Sequence, residues 1–413
     1  MIPKSSHNKI LTFLIYFILL GYCKFFYIIP LKGTVFTDIP ANILLSATIA
    51  VLSFMILIAM EGKKIILGEY AKEIGGLFLI LAVNSISMLA TYHYPILKIL
   101  WADIIFLVLL GYFPLVAYIK KNSLSQLISI IESITIILAL ILLLQFFVYR
   151  ATHIVFLSLD LHSLSFDRFR GPGDGLIRIS VILSAYKIIK EKSGDFRSIL
   201  NFILGLAVVI ILDRSRMYLL AIMLTIYAMV LILYRKNLMA KKSIMIVVFA
   251  VTSLLILGYL YFSLRKTLMN AHDGSNYARR GAIVYYFQTL SKHWWTWVTG
   301  LGIVEPKPGD SKYFLIHGPQ GIYYYADIGI FGTLASMGIL GFLWVIWITI
   351  KGFLIASYRT DFKALYYGLM IEMTFSWLTS MSYFNDIRLI GLTLILSIMG
   401  VKSKEVKSWT LPI

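Results

Sequence analysis

Long runs of apolar residues alternate with short polar connections along the whole chain. A helix needs about 20 apolar residues to cross roughly 30 Å of hydrocarbon, and many of these runs approach or reach that length. The pattern predicts an all-α polytopic membrane protein with about twelve transmembrane helices. We expect them near residues 10–29, 39–60, 74–91, 97–118, 124–149, 176–190, 198–212, 216–234, 243–262, 327–350, 364–384 and 388–401.

Two connections are much longer than the others, and they cover residues 150–175 and 263–326. The second is rich in Gly, Pro, Trp and Tyr, and its aromatic runs near 283–290 and 294–297 predict short helices at the membrane interface. No repeat relates the first six spans to the last six, and the remainder is too short for a soluble domain. We therefore expect one integral-membrane domain, 1–413, with a cap of loops and short interfacial helices on one face.

Composition supports the membrane assignment. The 413 residues are 59% hydrophobic and only 14% charged, with a mean hydropathy of +0.84, which excludes an ordinary soluble domain. The single cysteine, Cys23, excludes an internal disulfide. No small-residue cleavage site follows the first apolar run, so we expect that run to remain as a span.

The charged residues predict an orientation. Lysines dominate one set of connections, so the positive-inside rule places these, and both termini, in the cytoplasm. Ten of the thirteen arginines then fall on the outer side, where cations are normally scarce. They are Arg150, Arg168, Arg170, Arg178, Arg214, Arg216, Arg265, Arg279, Arg280 and Arg388. The net charge of +18 therefore does not indicate nucleic acid; the outer excess instead favours an anionic ligand.

Two arginine pairs are the clearest anion-binding candidates. Arg214 and Arg216 stand at the outer start of a span, and Arg279 and Arg280 precede an aromatic stretch. The planar guanidinium grips phosphate oxygens in pairs and stays charged in a low dielectric, and a pyrophosphate suits several arginines better than one. The simpler interpretations are snorkelling of the first pair, with Asp213 as partner, and plain solvated charge for the second.

His317 is the candidate proton acceptor. It ends an apolar run and is followed by a Gly-Pro turn. Imidazole accepts a proton near neutral pH, so this residue could deprotonate a sugar hydroxyl, although an isolated histidine is more often structural.

Other polar residues suggest less. No spacing of His, Cys, Asp or Glu predicts a metal site. Four ionisable residues fall within expected spans, where they either pair structurally or serve a proton-coupled transporter. They are Lys24, Asp103, Glu132 and Glu372.

Three segments carry a family resemblance. A Ser-Arg pair opens a span within residues 212–220. Arg279 or Arg280 follows, with an aromatic helix and the Gly-x-Gly turn at residues 300–302, and then His317 with a Gly-hydrophobic-x-Gly run ending at Gly332. In this order they resemble the O-antigen polymerase and O-antigen ligase superfamily of bacterial inner-membrane glycosyltransferases.

The resemblance is strongest over about 210–335, and the span pattern extends it to the whole chain. A less secure match is the arginine-glycine segment that begins at Arg170. The family's ligases usually carry Asn after the histidine, where this chain has Gly318. Two arginine-to-glycine loop motifs described for some polymerases have no clear counterpart in this sequence.

The resemblance implies a GT-C-like membrane fold and a reaction. Similar enzymes use a sugar chain linked through pyrophosphate to undecaprenol, presented at the periplasmic face. An acceptor hydroxyl attacks the anomeric carbon with inversion, and no metal or other cofactor is needed. The implied partners are the lipid-linked oligosaccharide and membrane lipid, with a chain-length regulator protein as a further candidate.

The resemblance also implies residue roles. Arg216, with Arg279 or Arg280, would hold the pyrophosphate, while Arg214 and Arg170 would be secondary binders. His317 would act as the base. A repeat-unit polymerase is the first expectation, a ligase that transfers polymer to lipid A-core the second, and a flippase or exporter the third.

Overall fold

The computed structural model describes residues 4–27, 41–62, 67–157, 173–191, 195–213, 216–240, 274–303, 317–318, 321–378, 384 and 386–401. In this part of the chain the regular elements are helices, apart from one hairpin with two strands of two residues each. The helices are α1 (Lys4–Tyr22), α2 (Ala41–Glu61), α3 (Ala71–Tyr92), α4 (Ile96–Asp103), α5 (Tyr112–Lys121), α6 (Leu124–Thr152), α7 (Asp174–Glu191), α8 (Phe196–Ala207), α9 (Arg216–Ala240), α10 (Gly274–Leu290), α11 (Trp294–Thr299), α12 (Ile330–Tyr358), α13 (Lys363–Leu378) and α14 (Asp386–Gly400). The hairpin strands are β1 (His317–Gly318) and β2 (Gly321–Ile322).

Seven helical stretches among the described residues are long and apolar enough to cross a membrane. They are Leu44–Glu61, Ala71–Tyr92, Ile96–Lys121, Leu124–Thr152, Phe196–Asp213, Met217–Tyr234 and Ile330–Tyr358. The expectation of an all-helical, multi-pass membrane protein is thereby confirmed. The total of about twelve spans stays a prediction.

The remaining expected spans differ in how they relate to the structure. Helices α1, α7, α13 and α14 coincide with four of them, but each is shorter or more charged than the seven stretches. The expected eleventh span reaches residue 384, whereas α13 ends at Leu378. The expected ninth span, 243–262, lies outside the described residues.

Two of the seven stretches change from one type of helix to another along their length. Between α4 and α5 the backbone tightens into a 3₁₀-helix, Ile104–Gly111, and Tyr22 donates a hydrogen bond from its hydroxyl to the Val108 carbonyl there, at 3.1 Å. After α8 the backbone widens into a π-helix, Val208–Asp213. The 3₁₀ segment is thus bonded to the last residue of α1, and π segments recur at functional sites.

Helices α3 and α12 pack antiparallel and define two ends of the bundle. Along α3 and α12, the indole of Trp344 donates to the Glu73 carbonyl (2.7 Å) near one end, and the amide of Asn84 donates to the Ser336 carbonyl (3.0 Å) towards the other. We call the end where α7, α9 and α14 begin the arginine end, and the opposite one the lysine end. The large core between them includes Tyr112, Tyr186 and Trp377, each fully buried.

Buried hydrogen bonds and an ion pair hold the helices together at the lysine end. Arg359, which is 3% exposed, donates to the carbonyls of Met399 (2.7 Å) and Val401 at the end of α14 and to the carboxylate of Glu69 (3.3 Å). These bonds satisfy carbonyls that a helix C-terminus leaves without internal partners. The backbone amide of Glu69 binds the Gly400 carbonyl at 2.9 Å, so α14 is fixed to the chain that precedes α3.

Candidate functional site

Helix α9 follows closely after an irregular helical segment. Helix α8 widens into the π-helix, which ends at the buried Asp213, and α9 begins at Arg216. Arg214, one of the predicted phosphate-binding residues, lies outside the described residues, and of Arg216 the structure describes the backbone. The predicted Ser-Arg segment therefore joins two membrane helices at the arginine end.

Two buried arginines contact Tyr218, which follows Arg216 by about half a helical turn. The Arg178 guanidinium lies 4.0 Å from the centre of the Tyr218 ring, pairs with the Glu372 carboxylate and donates to the Ser376 hydroxyl at 2.9 Å. Arg388 donates from Nε to the Tyr218 hydroxyl at 2.9 Å. Arg178 is 3% exposed and Arg388 8% exposed, so both charges are largely removed from solvent. We call these five residues the arginine cluster: Arg178, Tyr218, Glu372, Ser376 and Arg388.

The arginine cluster reaches the segment that leads into α12. Arg388 donates from Nη1 to the Ala326 carbonyl at 3.2 Å. Ala326 belongs to a 3₁₀ turn, Tyr325–Ile328, which also carries the half-buried carboxylate of Asp327. The buried arginines are thus linked directly to the stretch that follows His317.

His317 lies in the hairpin. It faces Ile322 across the two strands, and Gly318 faces Gly321. The structure describes the backbone of His317, so its predicted role as a base stays a prediction. Gly318 is buried beneath the Tyr323 ring, and a Cβ atom at this position would overlap that ring. This contact explains why glycine follows the histidine in this chain.

Helix α10 distinguishes the two arginines of the second predicted pair. Its buried face includes Ala282, Tyr286 and Leu290, spaced four residues apart. Arg279 lies seven residues before Tyr286, about two turns along the same face, and is half-buried, whereas Arg280 is exposed. Arg279 is therefore the one directed towards the protein.

The Gly-x-Gly turn supports a kink in α12. At Gly338 the backbone takes φ 65° and ψ −165°, values open to glycine almost alone. The kink frees carbonyls one turn earlier, and the amides of Leu301 and Gly302 bind those of Ala335 (2.8 Å) and Ser336 (2.9 Å). The turn predicted from the sequence is therefore bonded backbone to backbone against a membrane helix.

The intramembrane charges have partners. Besides the Arg178–Glu372 pair, the buried Glu132 accepts from the Ser184 hydroxyl (2.7 Å) and lies 3.8 Å from the Lys187 ammonium. Asp103 accepts from the Ser85 hydroxyl at 2.6 Å. Of the two interpretations predicted for these groups, Glu132 and Glu372 fit the structural one. Within the described ranges, no group of three His, Cys, Asp or Glu side chains could hold a metal ion.

The structure thus gives the predicted site residues unequal support. Arg216 begins the helix that enters the arginine cluster, and Arg279 faces inward, while Arg280 is exposed. Arg170 lies outside the described residues. Sequence reasoning placed Arg178 and Arg388 on the outer side but gave them no role, because their convergence depends on residues 210 positions apart.

Comparison with known proteins adds no identification. No family model matches the chain, and neither a curated protein nor a solved structure does. The assignment of function therefore depends on the residues and their arrangement.

Proposed function

We propose that this chain is a GT-C-like bacterial inner-membrane glycosyltransferase with about twelve spans. It polymerises undecaprenyl-pyrophosphate-linked oligosaccharide repeat units on the periplasmic face, producing O-antigen or capsule. The lysine end is cytoplasmic, together with both termini, and the arginine end is periplasmic.

The observation that carries the proposal is the arginine cluster. Burying a guanidinium is costly unless it is paired, so a membrane protein holds two at one end for a specific reason. Arg178 and Arg388 flank Tyr218, two residues after Arg216, and Arg388 bonds the segment that follows His317. The sequence segments that resemble the glycosyltransferase family are therefore joined around buried positive charge.

In the proposed reaction, the acceptor hydroxyl oxygen forms a bond to the anomeric carbon of the donor. The bond between that carbon and the phosphate oxygen breaks, and undecaprenyl pyrophosphate leaves. The hydroxyl proton passes to the imidazole of His317. Arg216 and Arg279 stabilise the charge that develops on the pyrophosphate, in place of a divalent cation. Arg214, Arg170 and the exposed Arg280 are secondary binders.

Arg178 and Arg388 are positioning residues in this scheme. Glu372 and Ser376 hold Arg178, while Tyr218 and the Ala326 carbonyl hold Arg388. They fix the start of α9, and hence Arg216, relative to the segment that carries the base.

The same observations rank the alternatives. A ligase shares the donor and the chemistry, but the asparagine its family usually carries after the histidine would meet the Tyr323 ring here. A flippase or exporter would use charged groups within the spans. Glu132 and Glu372 are instead held in ion pairs, which favours a structural role for them. The polymerase is therefore the function these residues support best.

A matched pair of variants tests the proposal. In a strain deleted for the gene, loss of a polymerase leaves lipid core bearing a single repeat unit, whereas loss of a ligase leaves none. Complementation with Arg279→Gln or His317→Ala is expected to leave this single-unit product on a polysaccharide gel. Arg280→Gln, on the exposed side of the same helix, should restore long chains.

Immunoblots of the membranes must show equal amounts of each variant. Purified wild-type protein incubated with the lipid-linked repeat unit should lengthen it and release undecaprenyl pyrophosphate. Unchanged product length, or normal chains with His317→Ala, would contradict the proposal.

A further inference from the structure

A group of tyrosines lies beside the hairpin, and we call it the tyrosine nest. Its members come from the end of α3, from α10 and from the chain between β2 and α12; they are Tyr92, Tyr285, Tyr286, Tyr323 and Tyr325. The ring centres of Tyr286 and Tyr325 are 4.7 Å apart, and those of Tyr285 and Tyr323 are 5.6 Å apart. The rings are tilted against one another, as aromatic pairs prefer.

The nest is graded from a buried centre to an open rim. Tyr286 and Tyr323 are buried, whereas Tyr285 is partly exposed and Tyr324, beside the nest, is 50% exposed. Partly exposed aromatic rings of this kind offer flat apolar surface next to polar hydroxyl groups. A ligand could therefore stack on the rim, next to the buried hydroxyls.

The Tyr325 hydroxyl in the nest has no visible structural purpose. Tyr286 donates its hydroxyl to the Tyr323 carbonyl at 2.6 Å. The hydroxyl oxygen of Tyr325 is buried but has no hydrogen-bond partner within the described part of the chain. A buried polar group without a partner costs free energy, and such a group in a native structure calls for an explanation.

The charge state of the nest suits hydrogen bonding to a neutral ligand. Burial, and then the neighbouring phenols, raise the pKa of Tyr325 and of Tyr286 above the ordinary tyrosine value. Both hydroxyls therefore stay protonated, and since Tyr286 already donates to the Tyr323 carbonyl, the Tyr325 hydroxyl is the one that can donate to a ligand. Asp327 lies near Tyr286, and no described side chain hydrogen-bonds its carboxylate, which can accept.

We propose that the tyrosine nest binds sugar rings of the acceptor glycan; this inference rests on the proposed glycosyl transfer. A pyranose ring has an apolar C–H face that stacks on an aromatic ring, and hydroxyls at its edge that pair with donors and acceptors. Tyr285 supplies the ring, Tyr325 the donor and Asp327 the acceptor.

The location of the nest fits an acceptor subsite. Tyr285 is on α10, the helix that carries Arg279, and Tyr323 covers Gly318, next to His317. A glycan on the nest would thus lie between the proposed pyrophosphate binder and the proposed base. In that position the glycan brings an acceptor hydroxyl towards the donor and does not occupy the site of the donor itself.

Binding of a glycan without its lipid tests the proposal. The probe is the oligosaccharide released by mild acid from the host's own lipid-linked repeat unit, labelled with a fluorophore at its reducing end. Its dissociation constant is measured on the full chain in detergent by thermophoresis. Undecaprenyl pyrophosphate serves as a second probe, and its dissociation constant should depend on the arginines and not on the tyrosine nest.

Three variants separate recognition from packing. Tyr285→Ala should weaken glycan binding about tenfold through loss of a stacked ring, and Tyr325→Phe about fivefold through loss of one hydrogen bond. Tyr325→Phe keeps the ring and removes an unpartnered hydroxyl, so the protein should melt at the same or a higher temperature. Tyr358→Ala, at a 62% exposed tyrosine at the lysine end, should change neither property.

Each result decides the matter. Weakened glycan binding with unchanged binding of undecaprenyl pyrophosphate supports the tyrosine nest as the acceptor subsite. Equal glycan affinity in all variants overturns it, as does a wild-type protein that binds no glycan. If wild-type protein also fails to lengthen the lipid-linked repeat unit, the proposed function falls as well; if it lengthens it, only the subsite does.

Discussion

The ion pair between Arg178 and Glu372 is expected to be the strongest single contact at the arginine end. The side chains are 4% and 0% exposed, and Ser376 bridges them by accepting from Arg178 at 2.9 Å and donating to Glu372 at 3.1 Å. Breaking a buried pair by removing one partner costs about 3–5 kcal/mol. The perturbations are Glu372→Gln, Arg178→Met and the double variant.

The structure predicts unequal costs. Glutamine keeps the shape of Glu372, and the stranded guanidinium retains Ser376 and the Tyr218 ring at 4.0 Å, so we expect a loss of about 3 kcal/mol. Arg178→Met strands a fully buried carboxylate and also removes the ring contact, so we expect about 5 kcal/mol. The double variant should cost no more than the worse single variant, because neither charge remains unpaired.

The lone cysteine offers an assay. Cys23 is fully buried, so a thiol-reactive dye added to the detergent-solubilised protein reports unfolding from a single site on heating. The midpoint should shift by about 1 °C per kcal/mol for a chain of this length. Glu61→Gln is the control, because its partner Lys121 is 30% exposed, so solvent screens that pair more than the fully buried one and the loss should be smaller. Single variants with the same melting midpoint as the wild type would refute the reasoning. So would losses of stability in the two single variants that add fully in the double variant.

Two further predictions concern glycines at the arginine end. Gly338→Ala should lower the same midpoint by about 3 °C or more, because its Cβ would meet the Gly300 amide nitrogen at 2.5 Å on a strained backbone. Gly352→Ala is the control and should cost less, because its Cβ meets only the movable Met370 side chain. Equal shifts in the two variants would contradict the role of the kink. Gly318→Asn should shorten the polymer made in the complementation assay, because the Tyr323 ring must move to admit the side chain, and undiminished chain length would count against that packing.

The helices were predictable because their signal is local. A run of apolar residues must become a helix if it is to lie in hydrocarbon, since the backbone there has to satisfy its own hydrogen bonds. Helices α10 and α11 also cover the aromatic stretches near 283–290 and 294–297, although α10 begins earlier, at Gly274. The irregular segments were not predicted. The 3₁₀ segment before α5 and the kink at Gly338 depend on Tyr22 and on the Gly-x-Gly turn, which come from distant parts of the chain.

The candidate site shows the same limit. Charge counting placed Arg178 and Arg388 on the outer side, but it could not find that Glu372 and the Ala326 carbonyl hold them. Nor could it choose between Arg279 and Arg280, which differ in how far α10 turns each towards its buried face. Such differences are settled by tertiary packing, which composition and spacing do not record.

The arrangement also bears on why the expected outer cations are arginines. A lysine ammonium could pair with Glu372, but it offers no planar group to lie 4.0 Å from the Tyr218 ring while also bonding Ser376. Arg388 likewise serves a hydroxyl and a carbonyl with separate nitrogens of one guanidinium. Two of the ten arginines therefore join helices at this end of the bundle. The excess of arginines to be explained by an anionic ligand is correspondingly smaller. In the proposed scheme it falls chiefly on Arg216 and Arg279, which lie beside the segments that Arg178 and Arg388 position.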